Sequence, residues 1–137
     1  MADEAKTFDI SSLKFRKDQD DGIAVDITHP KTGGRIGLKI WVAGPDSERQ
    51  RKAKNSVVNE RLQLRNQKIT AELLDDEGYK FLAKSTFKWE FDPGTTFEGE
   101  TEWSEKGAIR MFTNPDLKFI FDQVNAVAGE RAGFIKG

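Results

Sequence analysis

The 137-residue sequence has no cysteine and only one histidine. Without cysteine the chain can form neither a disulfide framework nor a thiolate metal site, and no glycine motif of the phosphate-binding kind is present. No apolar run approaches the roughly 20 residues of a membrane-spanning helix, and residues 1–6 lack the apolar core of a secretory signal. We therefore expect a non-enzymatic cytoplasmic protein with no metal, no cofactor and no membrane partner.

The composition is poor in apolar residues, at 36%, and rich in charged residues, at 33%, although the net charge is only −1. A chain of this length corresponds to one domain with a real but modest core. The remaining surface is expected to consist mostly of solvated helix.

An antiparallel β-hairpin is predicted over residues 22–44. Apolar residues recur at every second position in two runs, which gives each strand one buried face. The two runs are Ile23, Val25 and Ile27, then Ile36, Leu38, Ile40 and Val42. Pro30 and the pair Gly33-Gly34 supply the backbone angles that a chain reversal needs. The polar residues 1–21 are expected to form a flexible N-terminal arm, with a turn at residues 17–22.

Residues 45–137 are predicted to be mainly helical. Ser47 is the expected N-cap of the first helix, and Gln50 can complete a capping box with it, while Asp46 is a rival cap. The apolar stripe that follows is thin. It predicts one long and largely exposed helix, with Gly78 as the expected break near its end.

The last part of the chain has the strongest helical period. Ser104 is the expected cap of a short helix, and Asn114 of a final helix with Pro115 at its first position. Apolar residues share one face of the final helix: Leu117, Ile120, Phe121, Val124, Val127 and Ala128. This face is expected to be core, and a partner-binding face is the alternative. The fold class is therefore α+β, an N-terminal antiparallel hairpin followed by a mainly α-helical part in a single domain over residues 22–137.

Few side chains in the sequence could carry out chemistry. His29 precedes a proline in the predicted turn, and without converging partners it is interpreted as a solvated turn residue. Six carboxylates lie near the aromatic segment around Trp89: Glu90, Asp92, Glu98, Glu100, Glu102 and Glu105. Glycosidases and calcium sites both use paired acids, but no rigid frame and no calcium-loop spacing occurs here. A solvated acidic surface is the favoured interpretation.

Opposite charges are segregated along the chain. Residues 48–68 carry seven cations against two carboxylates, a formal charge of +5, whereas residues 72–105 carry ten carboxylates against three lysines, a formal charge of −7. A basic helix can bind nucleic acid, but no aromatic residue interleaves with the cations, and the acidic half would repel a polyanion. A solvated face is therefore favoured, followed by self-association of the basic stripe with the acidic patch.

Partner contacts are expected at cations and aromatic residues, which dominate many interfaces. The candidate partner-binding residues are Arg49, Arg51, Lys52, Trp103 and Phe134. Trp89 is expected to pack in the core. Trp41 points away from the apolar face of the hairpin, and we expect it to cover the second face beneath the helices.

Several short motifs occur in a set order along the chain. The hairpin turn reads His29-Pro30-Lys31-Thr32-Gly33, and the second strand ends in Gly44-Pro45-Asp46-Ser47 before a basic helix. Gly99-Glu100 precedes a tryptophan and a capped helix. The order closes with Asn114-Pro115, Gln123-Val124 and Phe134. Over residues 23–135 this layout resembles the tail assembly chaperones of long-tailed bacteriophages.

The resemblance implies a non-enzymatic protein of the host cytoplasm. Such chaperones coat the long, aggregation-prone tape measure protein before the tail tube forms around it. They self-associate and are generally absent from the finished virion, and in many phages a longer frameshifted form recruits the tail tube protein. A structural virion component, such as a tail tube or head–tail connector protein, is the alternative, and a nucleic-acid-binding regulator is less favoured.

Overall fold

The computed structural model describes residues 7–64 and 68–136. In this part of the chain, helices pack on a three-stranded sheet. The main elements in chain order are α1 (Arg16–Asp21), β1 (Ile23–Thr28), β2 (Arg35–Val42), α2 (Glu48–Gln63), α3 (Ala71–Ser85), β3 (Thr86–Phe91), α4 (Glu105–Thr113) and α5 (Lys118–Ala128). Short 3₁₀ turns cover Ile10–Ser12, Pro115–Leu117 and Arg131–Phe134. The predicted α+β class, an N-terminal hairpin followed by a mainly helical part, is confirmed.

The sheet is antiparallel, and β2 lies between β1 and β3. Ile40 of β2 pairs with Val25 on one side and with Trp89 on the other, so a row of apolar side chains crosses the buried face. The third strand corrects the prediction, because it lies inside the part predicted to be mainly helical. Its signal is present in the sequence, since Phe87, Trp89 and Phe91 alternate with charged residues.

The predicted turn joins β1 to β2. Gly33 has a positive φ of 74°, and its N–H donates to the His29 carbonyl at 2.9 Å. The Nδ1 atom of His29 accepts the N–H of Lys31 at 3.1 Å and the N–H of Thr32 at 3.3 Å. The exposed imidazole therefore organises the turn, which confirms the interpretation of His29 as a turn residue.

The core lies between the sheet and the helices. Its largest fully buried apolar side chains are Phe112, Phe134, Ile27, Leu38, Ile40, Leu82, Met111, Val42 and Val124. The face of α5 that was predicted to be core contributes Ile120, Val124 and Ala128 as buried residues, with Leu117, Phe121 and Val127 partly buried against the same cluster. The core interpretation of this face is confirmed.

Helix starts follow the predicted capping signals. Ser47 caps α2, Ser104 caps α4 and Asn114 caps the 3₁₀ turn before α5. In each case the side-chain oxygen accepts a backbone N–H that has no partner inside the helix. These caps fix the chain entry into the helices that cover the sheet.

Gln50 does not complete the expected capping box. Its side chain is buried instead, and Nε2 donates to the carbonyls of Ala43 at 2.7 Å and Ala128 at 2.8 Å. Ala43 directly follows β2, and Ala128 is the last residue of α5. The buried Gln50 amide therefore links α2 to the end of β2 and to the end of α5. A capping pattern in the sequence does not reveal this contact.

The last part of the predicted arm is a packed helix, where a turn was expected. Gln19 of α1 is 1% exposed. Its Oε1 accepts the N–H of Asp46 at 2.6 Å, and its Nε2 donates to the Asp46 carboxylate at 3.1 Å. That carboxylate also accepts two hydrogen bonds from Arg131, at 2.5 and 2.9 Å. Asp46 therefore links α1 to the 3₁₀ turn Arg131–Phe134, and it does not cap α2.

The predicted long helix is two helices. Helix α3 begins after Thr70, whose Oγ1 accepts the N–H of Leu73 at 3.1 Å. Gly78, the expected break, lies inside α3 and is exposed. The predicted break was therefore wrong, and the missed signal is the capping threonine at the start of α3.

Trp41 lies on the sheet face opposite the helices, because its neighbours Ile40 and Val42 point into the core and successive side chains of a strand point to opposite faces. It pairs with Ala24 and Lys88 across the sheet, and the Lys88 Nζ lies 4.5 Å from the centre of its ring. Trp41 lies on the second face, as expected, but the expected packing beneath the helices was wrong, because Trp41 is not part of the described core cluster.

Candidate partner-binding surface

The hairpin formed by α2 and α3 is attached to the core at one end. In α2 the buried residues lie in the first part of the helix and are Gln50, Ala53 and Val57. In α3 they lie in the last part and are Leu82, Ala83 and Ser85. Beyond this attachment, Arg61 and Glu77 join the two helices through an ion pair of 2.9 Å. The outer end of the hairpin therefore extends past the core.

Four large apolar side chains are exposed at this outer end, and we call them the apolar tip. They are Leu62 (67% exposed), Leu64 (44%), Ile69 (63%) and Leu74 (51%). Of the four, Leu64 lines a shallow depression of about 210 Å³, together with Val57, Leu73 and the charged residues Glu60, Arg61, Asp76, Glu77 and Lys80. All four lie within residues 62–74, and exposed apolar surface of this kind commonly marks a contact site. The sequence pattern placed these residues on the stripe of one helix, so it did not identify them as one surface.

The basic residues predicted to bind a partner lie at the start of α2. Arg49, Arg51 and Lys52 are exposed. Arg51 and Arg16 both donate to the Glu48 carboxylate, and the Arg51 hydrogen bond is the main cause of the lowered pKa of Glu48. The Lys52 Nζ lies 4.0 Å from the same carboxylate. Because several cations share one carboxylate, this face stays positive, and we call it the basic face.

Arg49 and Lys52 border an open depression of about 500 Å³. The guanidinium carbon of Arg49 lies 5.1 Å from the centre of the Phe87 ring, a cation–π arrangement that orients the guanidinium group. Lys84 and Glu105 also line the depression and form an ion pair of 3.1 Å. The mixture of cations and carboxylates suits a polar protein surface better than a polyanion.

Phe134 and Trp103, the two aromatic residues predicted to contact a partner, pack against the core instead. Phe134 is 1% exposed, so it offers no side chain to a partner and instead closes the core. Trp103 is half-buried against the core, and its Nε1 donates to the Thr86 Oγ1 at 3.2 Å. Trp89 is 6% exposed, as expected of a core residue, and its Nε1 donates to the Thr101 carbonyl at 3.0 Å.

The carboxylates near the aromatic segment are exposed, as predicted. Several form surface ion pairs: Glu90 with Lys88, Asp92 with Arg35, Glu98 with Arg110 and Glu105 with Lys84. The pair of Arg61 and Glu77 joins the basic stripe to the acidic patch inside one chain. Part of the segregated charge is therefore paired within one chain. Within residues 7–64 and 68–136, no three potential metal ligands come together.

Comparisons with known proteins identify no relative. No family model, no curated protein and no solved structure matches the chain. Among the residues that the structure describes, no helix combines the length and apolar character needed to cross a bilayer. The interpretation of the surface therefore depends on its own residues and their geometry.

Proposed function

We propose that the chain is a non-enzymatic tail assembly chaperone of a long-tailed bacteriophage. It binds the tape measure protein and helps to recruit the tail tube protein in the host cytoplasm, and it leaves before the virion is complete. The observation that carries the proposal is the apolar tip, which exposes four large aliphatic side chains at the outer end of a helical hairpin.

The apolar tip suits a helical client. A long helical protein that is not yet enclosed by a tube exposes apolar residues along one stripe. Such a stripe can pack against aliphatic side chains of a second protein, as amphipathic helices do in apolar grooves. Fully burying one leucine or isoleucine contributes about 1.5–3 kcal/mol. Four such side chains that become only partly buried against a client therefore give a modest, reversible contact. A chaperone needs a reversible contact because tube assembly must displace it.

The basic face supplies a second, polar contact, which we assign to recruitment of the tail tube protein. Arg49 and Lys52 are exposed there beside an open depression. Charged surfaces speed association and select partners more than they raise affinity. The apolar and basic contacts lie at different ends of α2, so one copy has separate surfaces for two partners.

The middle of the chain favours this proposal over a structural tail tube protein. A tube protein would be expected to have consecutive strands there, whereas residues 48–63 and 71–85 are helical. A nucleic-acid-binding regulator is less favoured, because Arg51, Lys52 and Arg61 all have carboxylate partners in the chain. These partners reduce the positive charge that could neutralise phosphates.

Co-expression with a candidate client tests the proposal. The candidate client is the product of any very long helical reading frame found directly downstream of the gene, and a tag on the chaperone retrieves the complex. The wild type should retain the client, and the variant Leu62→Ser/Ile69→Ser should lose most of it. The variant Phe8→Ser/Ile10→Ser is the control, since it removes two apolar side chains of similar exposure outside the apolar tip, and it should retain at least as much client as the wild type. Equal retention by both variants would reject the apolar tip as the client site.

A further inference from the structure

A second set of apolar side chains is exposed near the start of the described part of the chain. It lies in residues 8–15, which we call the N-terminal segment. Its members are Phe8 (70% exposed), Ile10 (75%), Leu13 (48%) and Phe15 (37%). We propose that the N-terminal segment of one copy docks on the apolar tip of a second copy.

The residues of the segment nearest Arg16 cannot cover the tip of their own chain. Arg16 donates to Glu48 at the start of α2, which anchors the end of the segment there. Leu62 lies about 21 Å further along α2, at a rise of about 1.5 Å per residue. Leu13 reaches only about 10 Å from Arg16 even when the chain is fully extended. The apolar side chains nearest the anchor therefore need the tip of another molecule.

Charge favours the same pairing. Lys14 and Lys17 lie at the Phe15 end of the segment, and both are exposed, whereas the exposed Asp9 lies between Phe8 and Ile10. Glu72 and Asp75 flank Leu74 on α3, and both are exposed as well. Opposite charges around two apolar patches fix the orientation in which the patches meet, and they exclude partners of the wrong charge.

Part of the segment is already ordered for docking. Asp9 caps the 3₁₀ turn Ile10–Ser12, because its Oδ1 accepts the N–H of Ser11 at 3.0 Å. The hydroxyl of Ser12 donates to the Asp9 carbonyl at 2.7 Å. A segment with a preformed turn loses less conformational entropy on binding than a fully flexible one.

The docking itself follows from the geometry of this chain and does not depend on the proposed function. Two copies can exchange segments reciprocally, or successive copies can form an open head-to-tail array. If the tip also binds a client, then both occupants use the same side chains. Docking of a second copy and binding of a client would exclude each other at one tip.

Disulfide trapping tests the docking with the chain alone, since the natural sequence contains no cysteine. Ile10→Cys and a size-tagged Ile69→Cys are mixed at equal concentration, oxidised mildly and separated without reductant. We expect a disulfide-linked heterodimer at several-fold higher yield than from Ile10→Cys mixed with Thr32→Cys, whose cysteine lies in the exposed β1–β2 turn. Equal yields from the two mixtures would overturn the proposal, as would an intramolecular disulfide in the double variant Ile10→Cys/Ile69→Cys.

A complementation experiment checks the same contact without cysteines. At high ionic strength, which weakens charged contacts, the variants Phe8→Ser/Ile10→Ser and Leu62→Ser/Ile69→Ser should each sediment as a monomer, because each lacks one half of the apolar contact. Their mixture keeps one intact segment and one intact tip, so we expect a heterodimer. A mixture that stays monomeric, or single variants that associate as the wild type does, would contradict the proposal. All four residues are largely exposed, and circular dichroism melts verify that both variants remain folded.

Discussion

At the scale of single residues, aromatic side chains connect the helices that cover the sheet. The Phe121 ring of α5 meets the Tyr79 ring of α3 at a centroid distance of 4.9 Å and the Phe112 ring of α4 at 6.0 Å, both edge to face. Such geometry adds to the free energy gained from burial. One half-buried side chain therefore links three helices.

We predict that Phe121→Ala destabilises the protein by about 3 kcal/mol, the low end for loss of a packed phenylalanine because the ring is half-buried. Total stability is typically about 5–15 kcal/mol, so the melting midpoint should fall by roughly 10 °C. Phe8→Ala makes the same chemical change at an exposed position and should leave the midpoint nearly unchanged at a dilution where the protein is monomeric. Calorimetry measures both variants, and an unchanged midpoint for Phe121→Ala would remove this residue from the core.

The Asp46 carboxylate gives the protein a specific dependence on acid. Hydrogen bonds from Arg131, and then from Gln19, lower the pKa of Asp46 from 3.8 to about 2. A carboxylate with a lowered pKa contributes stability above its unfolded pKa and loses that contribution as the pH falls through the folded pKa. The contribution should therefore be complete above about pH 4 and disappear toward pH 2.

We predict that Asp46→Asn lowers the melting midpoint at pH 7, and that the difference from the wild type shrinks as the pH falls from 4 toward 2. Asparagine keeps the size of the side chain but cannot form the ion pair with Arg131. Thermal melts of both proteins across this pH range provide the measurement. A difference that stays constant between pH 7 and pH 2 would show that the charge of Asp46 contributes nothing.

At the scale of elements, α3 contains a glycine that weakens it. Gly78 lies in the helix interior, and a Cβ built there meets nothing within 4 Å. Glycine in a helix costs about 0.5–1 kcal/mol relative to alanine, because it loses more backbone freedom on folding. We predict that Gly78→Ala stabilises the protein by about this amount.

Gly94→Ala is the matched control for this substitution. It also has open space around its Cβ, but its φ is 86°, a conformation in which a side chain is strained. Gly94→Ala should therefore destabilise the protein while Gly78→Ala stabilises it. Urea unfolding of the two variants compares them, and destabilisation by Gly78→Ala would mean that the helix is distorted at this position.

The helices and strands also show which parts of the secondary structure the sequence predicts and which it does not. Strict alternation predicted β1 and β2, and capping serines predicted the starts of α2 and α4. The same alternation marks β3, but its short aromatic run was interpreted as part of a helical region. Thr70 marks the start of α3, whereas the glycine that was expected to break the helix is tolerated because it faces open space.

The candidate surface was predictable in part. Arg49, Arg51 and Lys52 were expected on an exposed helix face, and they lie there. Phe134 was assigned to a partner, yet tertiary packing buries it. Only Leu62 and Leu74 of the apolar tip lie in helices, whereas Leu64 and Ile69 lie between α2 and α3, so a helical stripe in the sequence does not reveal the tip.

At the scale of the whole molecule, segregated charge and exposed apolar side chains both predict self-association. Charged contacts between copies weaken as salt shortens the range of electrostatic attraction, whereas apolar contacts do not. We predict oligomers whose mean mass falls, without reaching that of a monomer, between low and high ionic strength. Light scattering at tens of micromolar measures this mass, and a monomer under both conditions would exclude self-association.

The proposed function predicts that the protein keeps the tape measure protein soluble by covering its apolar stripe. The most direct measurement is the soluble fraction of that protein when it is co-expressed with the wild type, with Leu62→Ser/Ile69→Ser or with Phe8→Ser/Ile10→Ser. We predict a large soluble fraction with the wild type and the second variant, and a mostly insoluble client with the first. A client that is equally insoluble in all three cases, or equally soluble with the tip variant, would contradict the assignment as a chaperone acting through the apolar tip.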